Sequence, residues 1–253
     1  MTSYENQTVG KIAAENAASL RVFEKLGIDY CCGGKLPLSK ACERAGIPLS
    51  DALALLNEAQ HGGGGSDRDS TKASADDLIH HIVDAHHGFV RREIPRIQAL
   101  LSKVNNRHGA THPEIAQIES LFLAAAQELQ SHLMREEQVL FPYISKLEAA
   151  AQGKANPPSA CFPSVEFPIS RMLADHDDAG ELFARMSELS NRYTPPADAC
   201  MSFQALYRGI NEFEQDLHRH IHLENNILFP LAIAIERGIA PASACECSSH
   251  DVQ

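Results

Sequence analysis

The sequence lacks tryptophan, and no apolar run approaches the roughly 20 residues that a helix needs to cross a bilayer. It is also short of positive charge: 22 lysine and arginine residues stand against 33 aspartate and glutamate residues, a formal net charge of −11. Nucleic-acid-binding proteins normally present a basic face, and the N-terminus lacks the basic and then apolar pattern of a signal peptide. We therefore expect a cytoplasmic protein that binds neither nucleic acid nor a membrane.

The apolar–polar alternation of β-strands is absent as well, and the helical patterns fall into two parts. A glycine run at 62–65, followed by serine and charged residues, is typical of a flexible linker. The pattern predicts an all-α chain in which two helical hairpins form an up-down four-helix bundle. The predicted segments are a small helical N-terminal domain at 1–61, a linker at 62–74, the bundle at 75–237 and a disordered tail at 238–253.

Helix start and stop signals place the individual helices. Thr8 is expected to cap one helix that runs to Leu26, and two shorter helices follow at 38–45 and 50–60. The four long bundle helices are expected at about 76–105, 113–147, 165–192 and 197–237.

The second and fourth bundle helices share a duplicated motif that contains histidine and glutamate, two residues that can bind metals. The pattern HxxxExxxLFP begins at His132 and again at His220 with the same internal spacing. The first and third helices supply matching histidines, His87 and His176, which precede the motifs by 45 and 44 residues. Each hairpin therefore contributes two histidines and one glutamate.

Helical geometry gives this repeat a meaning, because residues i and i+4 lie on the same face of a helix. Ionisable side chains that face an apolar core are costly unless they are paired or bound to a metal. We therefore predict one metal centre with six ligands: His87, His132, Glu136, His176, His220 and Glu224. With bridging carboxylates and a bridging oxo or hydroxo group, this set suits two non-haem iron ions, and zinc is the main competitor.

Other histidines neighbour these positions but lie off the shared face, so solvated or supporting roles are expected for His80, His81, His86, His218 and His222. His86 is the closest competitor for a ligand position, since it precedes His87 directly. The spacing to Pro95 favours His87.

The sequence resembles the RIC family (repair of iron centres; YtfE/ScdA/NorA-like) up to about residue 237. The resemblance rests on the motif DYCCGGK at 29–35, on DHDDAG at 175–180 and on the run from His220 to Pro230. It implies a ScdA-type N-terminal domain followed by a hemerythrin-like di-iron bundle, with the same six ligands. It also implies that Glu128 is a candidate for an iron or substrate path. Asp175 stands where the family often has glutamate.

The resemblance implies a stress-response protein that repairs iron–sulfur clusters after nitrosative or oxidative damage, by iron donation. The alternative is binding of nitric oxide, or its reduction to nitrous oxide, at the di-iron site, which leaves enzymatic activity open. An oxygen-binding or sensing role is a weaker option. The partners expected are damaged iron–sulfur proteins and nitric oxide or oxygen as small ligands, and a homodimer is possible.

Seven cysteines do not form an obvious disulfide framework. Cys31 and Cys32 are adjacent in a glycine-rich loop, where we expect exposed thiols that relay iron or electrons. Small buried residues in a turn are the alternative. The tail residues Cys245, Cys247 and His250 form either a metal-binding group or a chance cluster.

Overall fold

The computed structural model describes residues 4–61, 73–159 and 162–239. The described N-terminal segment holds four short helices: α1 (Val9–Glu15), α2 (Ala18–Leu26), α3 (Leu38–Ala45) and α4 (Leu49–His61). Thr8 caps α1 as expected, because its side chain accepts a hydrogen bond from the Lys11 backbone N–H.

The expectation of one continuous helix from Thr8 to Leu26 is wrong. The chain leaves α1 at Asn16, which is extended with φ −144°, and Asn16 Oδ1 accepts a hydrogen bond from the Ala18 backbone N–H at the start of α2. Asparagine favours this arrangement because its side chain competes for nearby backbone groups. Helix α2 ends at Gly27 in the left-handed region (φ +66°), where glycine has no steric penalty.

The four bundle helices have the expected positions, but three of them contain a π-helical turn. The first bundle helix comprises α5 (Ala75–His81), π1 (Ile82–His87) and α6 (Gly88–His108). The second comprises α7 (Glu114–Arg135), π2 (Glu136–Leu140) and α8 (Phe141–Ala151), and the third is α9 (Glu166–Leu189). The fourth comprises α10 (Met201–Leu223), π3 (Glu224–Leu228) and α11 (Phe229–Ile239).

The bundle runs up and down. The chain leaves the level of His87 along α6 and returns along α7 to His132, and it repeats this course along α9 and α10. Helix α6 packs on α7 and α10, and α7 packs on α9. The all-α, four-helix up-down fold with a small helical N-terminal segment is confirmed. No helix among the described ranges is long and apolar enough to span a membrane.

Two apolar clusters fill the described part of the chain. The larger one joins the N-terminal helices to α6, α7, α9 and α10, and its centre includes the stacked or edge-on rings of Phe122, Phe183 and Phe213. The smaller one lies among α5, α8, the start of α9 and α11. A layer of buried polar side chains separates the two clusters.

Most of the predicted linker, the tail from residue 240 onward, and Cys161, Cys245, Cys247 and His250 lie outside the described residues. The domain boundaries therefore stay a prediction. The apolar core of the N-terminal helices is nevertheless continuous with that of the bundle.

Candidate metal centre

The helix geometry brings the six predicted side chains to one level of the bundle. His87 is the last residue of π1, and Glu136 and Glu224 are the first residues of π2 and π3. His132 and His220 lie one turn earlier on α7 and α10, and His176 lies within α9. All six residues are at most 2% exposed. π-helical turns concentrate at functional sites, and each of the three π turns here carries one of the six predicted side chains.

The LFP part of the motif explains the local fold. Pro142 and Pro230 each stand two residues after a π turn, and proline in an α-helix would clash with the carbonyl four residues back. We infer that the wider π turn accommodates this proline in both copies. The motif phenylalanines then serve the site: the His87 ring stacks on Phe141 with centroids 5.8 Å apart, and the His176 ring stacks on Phe229 at 6.2 Å.

The six side chains form two overlapping groups of possible ligands. His87 and His220 share one group with both glutamates, and His132 and His176 share the other, with the ligand atoms of each group within 4.8 Å of one another. The Nε2 atoms of His87 and His220 are 3.3 Å apart, and those of His132 and His176 are 3.0 Å apart.

Each glutamate spans both groups. Glu136 Oε2 lies 3.4 Å from His87 Nε2, and its Oε1 lies 3.2 Å from His132 Nε2. Glu224 Oε1 lies 3.0 Å from His220 Nε2, and its Oε2 lies 3.1 Å from His176 Nε2. Each carboxylate would therefore contact a cation held by either group.

The carboxylates of the cluster have few hydrogen-bond partners, which fits a role in binding cations. Both oxygens of Glu136 and one of Glu224 are buried without a hydrogen bond. Buried carboxylate oxygens without partners are costly, so the donor set calls for positive charge. Imidazole and carboxylate ligands around two adjacent positions suit non-haem iron.

The outer nitrogens of three histidines support the same conclusion. Nδ1 of His87 lies 2.6 Å from Glu137 Oε1, Nδ1 of His132 lies 3.3 Å from Asp175 Oδ2, and Nδ1 of His176 lies 2.9 Å from Asn225 Oδ1. In each case an oxygen can only accept, so Nδ1 carries the proton and donates. The Nε2 atoms of these rings are then free to bind a cation.

The pKa shifts report the negative charge of the two carboxylates. Burial lowers the pKa of His132, but Glu136 and Glu224 outweigh it and raise the pKa to about 9. Burial opposes ionisation of Glu224, yet its contacts with His220 and His176 hold its pKa well below the usual range. A cation at this position would therefore compete with a proton on His132.

The other histidines lie around the cluster. His86 is buried, its ring stacks on His220 at 5.7 Å, and it contacts Asp216, whereas His87 lies in the cluster itself. His80 is exposed and bonds to a carbonyl of its own helix, and His81 packs edge-on against His86. His218 and His222 pack against Tyr30 of the N-terminal segment.

Glu128 does not join the cluster. It is exposed on α7, one turn before His132, so its role in an iron or substrate path stays a prediction. The residue that lies beside His132 is Asp175, which also forms ion pairs with Arg135 and Arg171.

The Cys-Cys loop docks beside this cluster. Asp29 accepts hydrogen bonds from the backbone N–H groups of Cys31, Cys32 and Gly33, which fixes the turn. Asn226 of π3 donates to the carbonyl of Tyr30 at 3.2 Å, and Cys32 Sγ lies 3.8 Å from the His176 carbonyl.

The expectation that both thiols are exposed is wrong for Cys31, which is 5% exposed, while Cys32 is half-buried. The hydrogen bond with Cys32, followed by burial, holds the pKa of Cys31 well above its usual range. Cys31 is therefore a protonated thiol at neutral pH, and Cys32 is the more accessible sulfur. Both line a cleft of about 960 Å³ between the N-terminal helices and the bundle.

Sequence reasoning missed Glu137 and Asn225, which orient two of the histidines, and Asn226, which holds the Cys-Cys loop. A signal for the first two was present. Glu137 and Asn225 occupy the same position in the two copies of the motif, directly after the glutamate. A polar residue there, next to a ligand on a helix, is placed to reach a neighbouring helix.

Comparisons with known proteins agree with this geometry. Residues 78–232 match the model of the hemerythrin HHE cation binding domain, and residues 5–60 match ScdA_N, a domain of unknown function (DUF542). A hemerythrin-type domain implies non-haem iron.

Full-length relatives cover both parts. A "Probable iron-sulfur cluster repair protein" of Haemophilus influenzae is 36% identical over 233 residues, which is 90% of this chain and 97% of the relative. The "Iron-sulfur cluster repair protein YtfE" of Citrobacter koseri is 36% identical over 236 residues, 92% of this chain and 100% of the relative. The protein of the same name from Escherichia coli is 36% identical over 239 residues, 92% of this chain and 100% of the relative.

Proposed function

Because this chain belongs to the YtfE family of iron–sulfur cluster repair proteins, we propose that it restores damaged iron–sulfur clusters through iron held by its His/Glu cluster. The observation that carries the proposal is the pair of buried carboxylates, each of which faces two histidines across two adjacent positions. The proposed occupant is a pair of non-haem iron ions with a bridging oxo or hydroxo group.

The ligands in this proposal are His87, His132, Glu136, His176, His220 and Glu224. Bound iron supplies a redox-active cation that a damaged cluster lacks. The carboxylates neutralise its charge, and Glu137, Asp175 and Asn225 hold the imidazoles in the tautomer that leaves Nε2 free.

The Cys-Cys loop belongs to the same proposal. Cys32 Sγ lies against the backbone of the ligand His176 and also faces the cleft, so it lies between the cluster and a surface that a damaged protein reaches. Thiolates bind iron, and Cys32 is placed to take iron from the His/Glu cluster while Cys31 stays protonated. The cellular location that suits this role is the cytoplasm.

The first test is the iron content per chain in protein from iron-replete cells. We expect about two iron ions per chain, in line with two ligand groups, and their loss in a His132→Ala/His220→Ala variant. Zinc in place of iron, or metal content unchanged by the substitutions, would contradict the proposal.

The second test is repair itself. The iron-loaded chain is mixed with a dehydratase whose iron–sulfur cluster has been damaged by nitric oxide, and recovery of dehydratase activity is measured. We expect recovery with the wild-type chain, none with His132→Ala/His220→Ala, and slower recovery with Cys32→Ser. A Cys31→Ser/Cys32→Ser variant that repairs at the full rate would exclude the thiols from the path.

Nitric oxide reduction is the alternative that the sequence leaves open. The names of the relatives point to repair and not to this reaction. Nitrous oxide produced by the iron-loaded chain, with no recovery of the dehydratase, would favour the alternative.

A further inference from the structure

Asp216 is a largely buried carboxylate that lies beside the His/Glu cluster but is not one of its six side chains. It stands on α10 one helical turn before the ligand His220, so the two side chains share a face of the helix. Its Oδ1 lies 3.1 Å from His86 Nδ1, whereas its Oδ2 is buried without a hydrogen bond. The side chain is 19% exposed, and a buried carboxylate oxygen without a partner is costly.

His220 has the complementary deficit. Its Nδ1 is also buried without a hydrogen bond, although the other three ligand histidines each have an oxygen at this atom. His86 lies against both residues, because its ring is parallel to that of His220 at 5.7 Å while its Nδ1 contacts Asp216. An oxygen that accepts and a nitrogen that donates when it is protonated therefore stand one helical turn apart, both without partners.

The contacts of the inner nitrogen of His220 explain why these two atoms do not pair. Nε2 of His220 lies 3.0 Å from Glu224 Oε1, and a carboxylate oxygen can only accept, so Nε2 donates. On its other side, Nε2 of His87 lies 3.3 Å away and also accepts, because the proton of that ring is on Nδ1 and is held by Glu137. The single proton of the neutral His220 ring is therefore on Nε2. Its Nδ1 presents a lone pair, which repels a carboxylate oxygen.

We propose that Asp216 is the positioning residue for His220 when iron is bound. A cation binds Nε2 only in the tautomer whose proton is on Nδ1, so the proton that leaves Nε2 is replaced by one on Nδ1. Nδ1 then donates to Asp216 Oδ2, while Oδ1 keeps its contact with His86. The inference rests on the proposed function, because it needs a cation at the cluster. It gives each of the four ligand histidines an oxygen at its outer nitrogen.

The other neighbours of Asp216 do not account for its second oxygen. An ion pair with His86 uses Oδ1 alone and leaves Nδ1 of His220 without a partner. Arg219, three residues further along α10, is committed elsewhere, because its Nε and Nη2 both donate to Glu24. Only the tautomer of His220 that binds a cation satisfies both buried atoms at once.

The first test compares the iron affinity of Asp216→Asn with that of the wild-type full chain. Asparagine has the same shape and keeps an oxygen for His86, but it places an amide N–H where His220 needs an acceptor. We expect iron affinity, measured by competition with a chromogenic chelator, to fall about tenfold. Asp178→Asn is the matched control and should keep the affinity, because it makes the same change at an exposed position of α9 two residues from the ligand His176.

Thermal unfolding separates positioning from a merely structural role. Asp216→Asn is expected to lower the midpoint of the iron-loaded chain by about 3–5 °C, which corresponds to a tenfold loss of affinity. The midpoint of the chelator-treated chain should not change, since the contact between Asp216 and His220 forms only when a cation holds Nε2. An equal fall in both preparations would show that Asp216 supports the fold and does not position the ligand.

Nitrogen-15 NMR of the histidine rings reads the tautomer of His220 directly, with zinc as a diamagnetic probe that accepts the same donors. The His220 signal is identified by its loss in His220→Gln. We expect the proton on Nε2 in the chelator-treated chain and on Nδ1 after zinc is added, and a proton on Nδ1 in both would overturn the inference. Failure of the wild-type chain to bind iron or zinc would overturn the proposed function as well. Wild-type binding that Asp216→Asn does not weaken would overturn this inference alone.

Discussion

At the scale of single residues, the partners of the outer histidine nitrogens decide which ring nitrogen can bind a cation. Glu137, Asp175 and Asn225 each accept a hydrogen bond from one ligand histidine. His220 has no such partner, because its Nδ1 is buried without a hydrogen bond. Its ring is fixed by stacking on His86 instead. The two hairpins are therefore copies in their ligands and differ in how those ligands are supported.

Glu137→Gln tests this support. The amide weakens the hydrogen bond that orients His87, so we expect iron affinity to fall about tenfold to a hundredfold while the fold is kept. Competition with a chromogenic iron chelator measures the change. Glu212→Gln is the matched control, because it makes the same chemical change at an exposed position of α10. Equal losses in the two variants would show that general charge, and not orientation, sets the affinity.

At the scale of elements, the π turns and the docked loop are coupled. π3 carries the ligand Glu224, then Asn225, which contacts His176, and then Asn226, which holds the Cys-Cys loop. Gly10 and Gly34 make this docking possible: a Cβ atom at Gly34 would lie 2.5 Å from Asn226 Oδ1 and 2.9 Å from the Tyr30 carbonyl. A backbone neighbour cannot move aside, so only glycine fits.

Gly34→Ala is therefore expected to displace the Cys-Cys loop from the bundle. The rate at which iodoacetamide alkylates Cys32 should rise several-fold, because its sulfur leaves the contact with the His176 carbonyl. Gly180→Ala on α9 is the control. It also lines the cleft, but an added Cβ there meets nothing within 4 Å, and alanine stabilises a helix by roughly 0.5–1 kcal/mol relative to glycine. An unchanged Cys32 rate in Gly34→Ala would show that the loop tolerates the contact.

The sequence predicts a large part of this arrangement. HxxxE at two equivalent places predicts the helices, their register and the convergence of six side chains, because i and i+4 share a face. It does not predict the π turns, since the proline that ends the motif is equally compatible with a kink or a helix end. Nor does it predict that Asp175 contacts His132 or that Cys31 is buried, because both depend on how separate elements pack.

At the scale of the whole molecule, the His/Glu cluster lies between the two apolar clusters and joins all four bundle helices. Each helix contributes at least one of the six side chains, so a bound cation links elements that are distant in sequence. Without cations the same layer places two carboxylates and four imidazoles in a buried environment. The stability of the bundle should therefore depend on whether the centre is filled.

Removal of iron is expected to lower the thermal midpoint of unfolding. A ligand bound to the folded state alone contributes about 4 kcal/mol when its free concentration is 1,000 times Kd. For a domain of this size that corresponds to roughly 8–16 °C. Calorimetry of the iron-loaded and chelator-treated chains measures the difference, which His132→Ala/His220→Ala should abolish and His80→Ala should preserve. Equal midpoints with and without iron would mean that the six side chains are already satisfied by protons and by one another, and the layer would then be a buried polar network with no need of a metal.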